Sequence, residues 1–184
     1  MDTLHALARR IHARTQGADA NFSGVSTDTR TLQSGDLFVA LKGERFDGHD
    51  HVSQAAARGA VGALVSRPVA VDLPQVVVND TLQGLQDYAA SWRSSFDLPV
   101  LAITGSNGKT TTKQLLSAVV AARGPALATQ GNLNNHIGVP LTLLGLRAEH
   151  CTAVIEMGAN HSGEIARLSE IARPAIGVIT QAGD

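Results

Sequence analysis

The sequence is poor in cysteine, in aromatic residues and in net charge. Its single cysteine, Cys151, excludes an internal disulfide, and the apolar segment CTAVIEMG around it predicts a buried, unreactive thiol. Aromatic residues make up only 3% of the chain, so aliphatic side chains must fill the core. The formal net charge is −1 and no long basic run occurs, which gives no electrostatic reason to expect nucleic acid as a partner.

Long apolar segments are also missing. No stretch reaches the roughly 18 apolar residues of a membrane span. The N-terminal segment MDTLHALARRIHART lacks the apolar core and the cleavage site of a signal peptide. These absences predict a cytoplasmic protein without a membrane span. We expect its partners to be small molecules, and we expect a monomer.

The residues that are present predict an α/β protein with two domains. Hydrophobic residues make up 43% of the chain and charged residues 17%, which is typical of a globular protein that can build a core. Residues 1–80 are interpreted as a small mixed α/β domain that begins with a helix ended by Gly17. A short apolar run follows in GDLFVALKGE, then a helix in HDHVSQAAARGA and strands in GALVS and QVVVN.

Residues 81–184 alternate helices and strands. A helix begins at Thr81, and the strands VLAIT, ALATQ, TAVIEMG and AIGVITQ are separated by three further helices. Because these strands are continuously apolar, they predict a mainly parallel sheet that is covered on both faces. The last strand meets the chain end where a doubly wound sheet places its ligand sites. We therefore expect a truncated domain and a chain that is a fragment.

The segment TGSNGKTTTK predicts a phosphate-binding loop between a strand and a helix. It lacks the first glycine of the usual P-loop, because Ile103 stands where GxxxxGK[ST] has glycine. Glycines let backbone N–H groups face a phosphate, Lys109 neutralises charge, and the Thr110 hydroxyl is a ligand for Mg²⁺. The nucleotide-binding candidates are Gly105, Ser106, Asn107, Gly108, Lys109, Thr110 and Thr111. The alternative is an ordinary turn capped by a threonine.

Two further motifs carry polar residues next to apolar elements. In EMGANHSGEI, Glu156 follows a buried strand and is well placed to hold Mg²⁺ together with Thr110; a solvated strand end is the alternative. In GNLNNHIGVP, the side chains of Asn132, Asn134 and Asn135 either face a ligand or cap the next helix. His161 is interpreted as a substrate contact or as an ordinary loop residue ahead of a helix.

The N-terminal domain offers weaker signals. In VSTDTRTLQSGDLFVALKGERFDGHD, Asp28 and Arg30 are spaced for a local salt bridge, and Asp47 with Gly48 is a normal turn signal. A metal site at residues 49–51 is rejected, because adjacent residues on a helix point in different directions.

Together, these segments resemble the Mur ligase family, whose shortened ATP loop has the form TGxNGKT. The resemblance implies that ATP phosphorylates a carboxylate and that an amine then forms an amide from the acyl phosphate. GNLNNHIGVP and EMGANHSGEI are most similar to the branch that joins D-alanyl-D-alanine to UDP-N-acetylmuramoyl-tripeptide. The resemblance also implies ATP and Mg²⁺ as cofactors, Lys109 and Glu156 as catalytic residues, and Thr110 and Glu156 as metal ligands.

The resemblance also implies substrate contacts and a missing part. Uridine-diphosphate contacts are implied for Thr27, Asp28, Thr29, Arg30, Lys42, Asp47, Gly48 and His49, and contacts on the muramoyl side for Asn132, Asn134, Asn135 and His161. Family members continue into a C-terminal domain that is absent here, so the fragment alone is expected to be inactive. Two alternatives stay open: the related ligase that adds the third amino acid, and a UDP-sugar-binding module without catalysis.

Overall fold

The computed structural model describes residues 2–182 of the chain. The chain divides into two compact units, Met1–Tyr88 and Ala89–Asp184. Among the described residues, no helix is long and apolar enough to cross a membrane.

The first unit contains a five-stranded sheet with the strand order β1-β5-β4-β3-β2. Its elements are α1 (Leu4–Arg10), β1 (Arg14–Gln16), β2 (Gly24–Ser26), β3 (Asp36–Val39), a 3₁₀ helix (Gly48–His51), α2 (Val52–Ala57), β4 (Gly62–Val65) and β5 (Gln75–Val77). Helix α3 (Thr81–Arg93) runs across the division between the units. Strand β1 pairs antiparallel with β5, and the other three pairings are parallel.

The first helix is shorter than the sequence predicts. The Thr3 side chain accepts the Ala6 N–H and caps α1, which buries Leu4 and Leu7 and ends at Arg10. Gly17 was predicted to end this helix, but His12 already turns the chain with a φ of 53°, and β1 follows. Strand β1 escaped prediction because its three residues are all exposed and show no apolar pattern.

The second unit contains a four-stranded, all-parallel sheet with the order β7-β8-β6-β9. Its elements are β6 (Val100–Thr104), α4 (Lys109–Ala121), β7 (Ala126–Ala128), α5 (Gly138–Leu143), β8 (Thr152–Glu156), α6 (Glu164–Ala172) and β9 (Ile176–Ile179). The predicted α/β class with parallel-dominated sheets is confirmed. Ile103 of β6 lies opposite Glu156 of β8, so the glycine loop after β6 and Glu156 share one edge of the sheet.

The predicted cover on both faces of this sheet is incomplete within the described residues. Strand β9 is the edge strand and leaves Ile176 and Ile179 exposed. On helix α4, Leu115 and Val119 are exposed as well. Strand β9 and helix α4 therefore have apolar side chains that the described part of the unit does not bury.

Cys151 is exposed, so the prediction of a buried thiol is wrong. Cys151 lies in the turn ahead of β8, where its backbone N–H donates to the Pro125 carbonyl at 2.8 Å. Burial begins only at Ala153, inside the strand. The apolar segment misled the prediction because its first residue precedes the sheet.

Arg93 lies at the end of α3 and is buried. Its guanidinium donates to the backbone carbonyls of Phe96 at 2.7 Å, of Leu98 at 3.0 Å and of Ala172 at 3.0 Å. Burial lowers the pKa of this group below its ordinary value. The three carbonyls satisfy a charge that would otherwise be costly to bury.

Candidate functional site

The loop between β6 and α4 is shaped by two glycines with positive φ angles. Gly105 has a φ of 138° and Gly108 a φ of 81°, a region that side chains rarely adopt. A Cβ atom on Gly105 would also collide with Thr180 Oγ1. The strand, loop and helix predicted from TGSNGKTTTK are therefore present, and Gly105 opens a shorter loop than the usual P-loop.

The loop is attached to the chain just beyond β9. The Ser106 N–H donates to the Gln181 carbonyl at 2.8 Å, and the Asn107 side-chain amide donates to Gln181 Oε1 at 3.3 Å. The Thr180 hydroxyl donates to the Asn107 carbonyl. These bonds hold the loop in one conformation without a ligand, which lowers the entropy lost when a ligand binds.

Lys109 lies over this loop. Its ammonium donates to the Gly105 carbonyl at 2.5 Å and to the Ser106 carbonyl at 3.3 Å. Gly108 is the N-cap of α4 and has no side chain to accept the first amides of that helix. An ammonium group and the N-terminus of a 13-residue helix thus converge on one short loop, an arrangement that suits a phosphate group.

Glu156 lies at the carboxyl end of β8 and is 2% exposed. Its Oε1 accepts from Asn134 Nδ2 at 2.9 Å and from the Thr110 hydroxyl at 3.3 Å. Its backbone N–H donates to Thr129 Oγ1 at 2.9 Å. Lys113 Nζ lies 3.3 Å from Oε2. The solvated strand end that was the alternative for Glu156 therefore does not occur.

The two carboxylate oxygens of Glu156 differ in their bonding. Oε1 has two hydrogen-bond donors, whereas Oε2 has no aligned hydrogen bond from any residue that the structure describes. The Lys113 ammonium is close enough for a charge interaction with Oε2, but its geometry is not that of a hydrogen bond. A buried carboxylate oxygen without a hydrogen bond is uncommon and points to a missing ligand.

The residues around Glu156 fit Mg²⁺. The Thr110 hydroxyl and the Glu156 carboxylate supply oxygen atoms, the donors that Mg²⁺ prefers. Within residues 2–182, no group of three or more His, Cys, Asp or Glu side chains is placed to hold a metal.

The asparagines of the amide-rich loop make different contacts. Asn134 donates to Glu156, as described above, whereas Asn135 Oδ1 accepts the N–H groups of Ile137 at 3.1 Å and Gly138 at 2.8 Å. Asn135 thus caps α5, which was the alternative to a ligand contact. Asn132 is exposed. The structure therefore brings only Asn134 of these three to the carboxylate.

His161 lies ahead of α6 and is exposed. Its backbone N–H donates to Glu164 Oε2 at 3.2 Å, and the Asn160 N–H donates to the same oxygen at 2.7 Å. These two backbone bonds, first that of Asn160, lower the pKa of Glu164. The carboxylate thus ties the loop ahead of α6 to the first residue of that helix, and the side chain of His161 is exposed.

In the first unit, the predicted contacts at Asp28 and Arg30 form a local pair. Arg30 Nη2 lies 2.6 Å from Asp28 Oδ2, and this guanidinium lowers the pKa of Asp28 to about 2. The buried Thr29 donates its hydroxyl to Gln54 Oε1 at 2.9 Å. Thr27 is half-buried. The expected salt bridge is present, so this stretch has a structural role of its own.

His49 is buried and both of its ring nitrogens have partners. Its Nε2 accepts the Ser66 N–H at 2.9 Å, so Nδ1 carries the proton and donates to Asp47 Oδ1 at 2.6 Å. The backbone N–H and then the ring of His49 hold the pKa of Asp47 below its ordinary value. Gly48 packs against the Leu41 backbone, where a Cβ would clash, and Lys42 is exposed. His49 therefore positions Asp47 and presents no nitrogen to a ligand.

Comparison with known proteins assigns both units to one family. Residues 21–93 match the family described as "Mur ligase family, catalytic domain", and residues 103–184 match the "Mur ligase middle domain". The chain belongs to the Mur ligase family.

Relatives in this family are similar over nearly the whole chain. The UDP-N-acetylmuramoyl-tripeptide–D-alanyl-D-alanine ligase of Escherichia coli is 50% identical over 177 residues, which are 96% of this chain and 39% of that ligase. The Mur ligase chain described here therefore spans about two fifths of the length of this relative.

Solved structures of two Mur ligases have the same fold. MurF from Acinetobacter baumannii is 42% identical with a TM-score of 0.88, over 95% of this chain and 39% of that one. MurF from Thermotoga maritima, solved in complex with ADP, is 34% identical with a TM-score of 0.77, over 87% and 38% of the two chains.

Sequence analysis missed two residues that contact Glu156 in this candidate site, Lys113 and Thr129. Lys113 lies three residues after Thr110 on α4, a spacing that places both side chains on one face of a helix. That spacing was a usable signal once Thr110 and Glu156 were assigned to one site. Thr129 follows β7 and gave no comparable signal.

Proposed function

We propose that the protein carrying this chain is a cytoplasmic, monomeric, ATP-dependent ligase that joins D-alanyl-D-alanine to UDP-N-acetylmuramoyl-tripeptide. The observation that carries this proposal is the junction of the glycine loop with Glu156, where the Thr110 hydroxyl lies 3.3 Å from the carboxylate. The names of relatives that are 41–50% identical support this substrate pair.

In this reaction, the tripeptide carboxylate attacks the γ-phosphorus of ATP, giving an acyl phosphate and ADP. The amine of D-alanyl-D-alanine then attacks the acyl carbon; phosphate leaves, the amine loses a proton and an amide forms. Phosphoryl transfer depends mainly on positioning and on neutralising charge. Lys109 would exchange its two carbonyl acceptors for phosphate oxygens, and the amides of Gly105, Asn107, Gly108 and Thr111 would line the phosphates. Ser106 would shape the loop through the bond of its N–H to the Gln181 carbonyl.

Thr110 and Glu156 would hold Mg²⁺, which when bound neutralises charge on the nucleotide phosphates. Asn134 donates to Glu156 Oε1 and so fixes the orientation of the carboxylate. Asn132 and His161 have exposed side chains that remain candidates for the muramoyl side of the substrate. Asn135 would act there through the loop that it caps.

For the uridine diphosphate, we assign the exposed cations Arg30 and Lys42 to the phosphates. The remaining candidates would shape the pocket through the local contacts described above: Thr27, Asp28, Thr29, Asp47, Gly48 and His49. The 184 residues alone are proposed to have no ligase turnover, since they span 39% of the E. coli relative. A second candidate, the ligase that adds the third amino acid, finds support only in the fold, because a solved 2,6-diaminopimelate ligase is 19% identical with a TM-score of 0.54.

The test is Lys109→Ala in the full-length protein that carries this chain. We expect loss of ADP release with the tripeptide and D-alanyl-D-alanine, because the substitution removes the ammonium group that lies over the loop. Gln114→Ala, at an exposed position on the same helix, is the control and keeps wild-type turnover. Near-normal turnover of the Lys109 variant would contradict the proposal. Faster ADP release with a free diamino acid would favour the second candidate.

A further inference from the structure

We propose that Lys113 is a positioning residue for the magnesium ligand Glu156. Its ammonium holds Oε2 and thereby turns Oε1 towards Thr110. This inference deepens the proposed function and rests on it, because it concerns the residue that would hold the metal. Lys113 was not among the site residues predicted from the sequence.

Lys113 and Glu156 are both buried. Lys113 is 6% exposed and Glu156 is 2% exposed, although lysine and glutamate are rarely buried unless they are paired. The ammonium and Oε2 lie 3.3 Å apart. A helix whose lysine only served solubility would direct this side chain to solvent, as α4 does with Gln114 next to it. The position of Lys113 therefore follows from the charge of Glu156.

The two oxygens of the Glu156 carboxylate contact different neighbours. Thr110 and Asn134 donate to Oε1, whereas Lys113 approaches Oε2 without an aligned hydrogen bond. Lys113 thus attracts the carboxylate by charge and uses none of the hydrogen-bonding capacity of Oε2 in the described structure. The ammonium therefore holds the Oε2 side of the carboxylate by charge, while Oε1 faces Thr110.

The main chain of Glu156 is held in place by its neighbours. Thr129, itself 2% exposed, holds the backbone N–H of Glu156 at 2.9 Å. Strand β8 fixes the main chain through its pairing with β6 and β7. The side chain is then held at both oxygens: Thr110 and Asn134 hold Oε1, and Lys113 holds the carboxyl group from the Oε2 side. Groups that orient a metal ligand in this way typically change metal affinity by about 10-fold to 100-fold when removed.

The experiment measures Mn²⁺ binding by electron paramagnetic resonance in the presence of ADP, using the full-length protein that carries this chain. Lys113→Met keeps an unbranched apolar stem and removes the charge. We expect Mn²⁺ to bind about tenfold more weakly to this variant. The Mg²⁺ concentration for half-maximal ADP release should rise by a similar factor, while KM for D-alanyl-D-alanine stays unchanged.

Three further variants make the result decisive. Gln114→Met introduces the same side chain at an exposed neighbour and should leave Mn²⁺ binding at the wild-type value. Lys113→Arg keeps the charge and should recover part of the lost affinity, which a role in packing alone does not predict. Lys113→Gln is neutral and polar, and it carries the test if Lys113→Met is insoluble.

The outcomes separate the two proposals. Wild-type Mn²⁺ affinity in Lys113→Met or Lys113→Gln would overturn the role of Lys113 and leave the proposed function intact. If the wild-type protein itself binds no Mn²⁺ with ADP, the proposed function and this inference fail together. Weaker binding in the neutral variants, with recovery in Lys113→Arg, would support both.

Discussion

Each unit of the molecule buries an ionisable side chain that sequence analysis assigned to a ligand. In the first unit this group is His49, which is 3% exposed, and in the second unit it is Glu156, which is 2% exposed. His49 lies in the 3₁₀ helix and Glu156 is the last residue of β8, and each has a charged partner, Asp47 for His49 and Lys113 for Glu156. Burial and charge pairing alone therefore do not tell which of the two side chains is structural and which binds a ligand.

Hydrogen bonding does distinguish the two groups. Asp47 and Ser66 occupy both ring nitrogens of His49, so the chain itself satisfies this side chain completely. Glu156 keeps one oxygen without a hydrogen bond from the described residues. A buried polar group that is fully satisfied stabilises the fold, whereas one that is incompletely satisfied marks a place for a ligand.

The largest expected effect comes from Glu156→Gln, which tests the second half of this comparison. The amide keeps the shape of the side chain and still accepts from Asn134, but it removes the charge that would hold the metal. We expect the rate of ADP release by the full-length protein to fall about a thousandfold, which corresponds to about 4 kcal/mol of transition-state stabilisation. Single-turnover measurement at saturating ATP and Mg²⁺ would show the change.

The control for this variant is Glu170→Gln, which neutralises an exposed glutamate on α6. We expect that variant to react at the wild-type rate. A Glu156→Gln protein that reacts within about threefold of wild type would remove the ligand role from Glu156.

His49→Ala tests the first half of the comparison and should act on stability. The substitution leaves Asp47 and the Ser66 N–H without their partner and opens a cavity in the first unit. We expect the free energy of unfolding of this unit to fall by about 2–4 kcal/mol. Hydrogen exchange of the β4 amides would report the loss, and the exposed His51→Ala is the matched control. Unchanged exchange together with lost uridine-diphosphate binding would instead make His49 a ligand contact.

The smallest expected effect concerns Asp28 and Arg30, a pair that is satisfied but exposed. Arg30 lowers the pKa of Asp28 from 3.8 to about 2, so the pair stabilises the fold above the unfolded-state pKa and loses this effect as the pH falls through about 2. The Arg30 side chain is 84% exposed, so solvent screens the pair and keeps its contribution small.

Asp28→Asn would reveal this contribution as a difference in urea midpoint from the wild-type protein. We expect the difference to be present at neutral pH and to shrink between about pH 4 and about pH 2, where wild-type Asp28 becomes protonated. If the difference in urea midpoint stays constant over this pH range, the stabilisation comes from the backbone hydrogen bonds of Asp28 and not from its charge.

The sequence predicts the second unit better than the first, for physical reasons. Continuous apolar strands between glycines predict a parallel sheet, and the carboxyl ends of β6 and β8 then meet at one edge. That argument was enough to place Glu156 near the glycine loop. The short strands β1 and β2 have no such pattern, because tertiary pairing and not local sequence makes them strands.

The remaining details depend on individual side-chain environments. A lysine on a helix is normally solvated, so Lys113 was assigned to no site, although its spacing from Thr110 places both side chains on one face of α4. The two asparagines at 134 and 135 are adjacent and chemically identical, yet one contacts Glu156 and the other caps α5. The exposure of Cys151 depends on where β8 begins, and element boundaries are the least certain part of a sequence-based prediction.

Arg93 gives a cysteine-poor chain a non-covalent cross-link. Its bond to the Ala172 carbonyl joins positions that are 79 residues apart, and its two other bonds hold the segment that leads into β6. The ends of α3 and α6 and the approach to β6 are therefore expected to open as one cooperative unit, since breaking any of these contacts exposes the same buried charge. Unlike a disulfide, this link holds in a reducing compartment, and it disappears entirely when the chain unfolds.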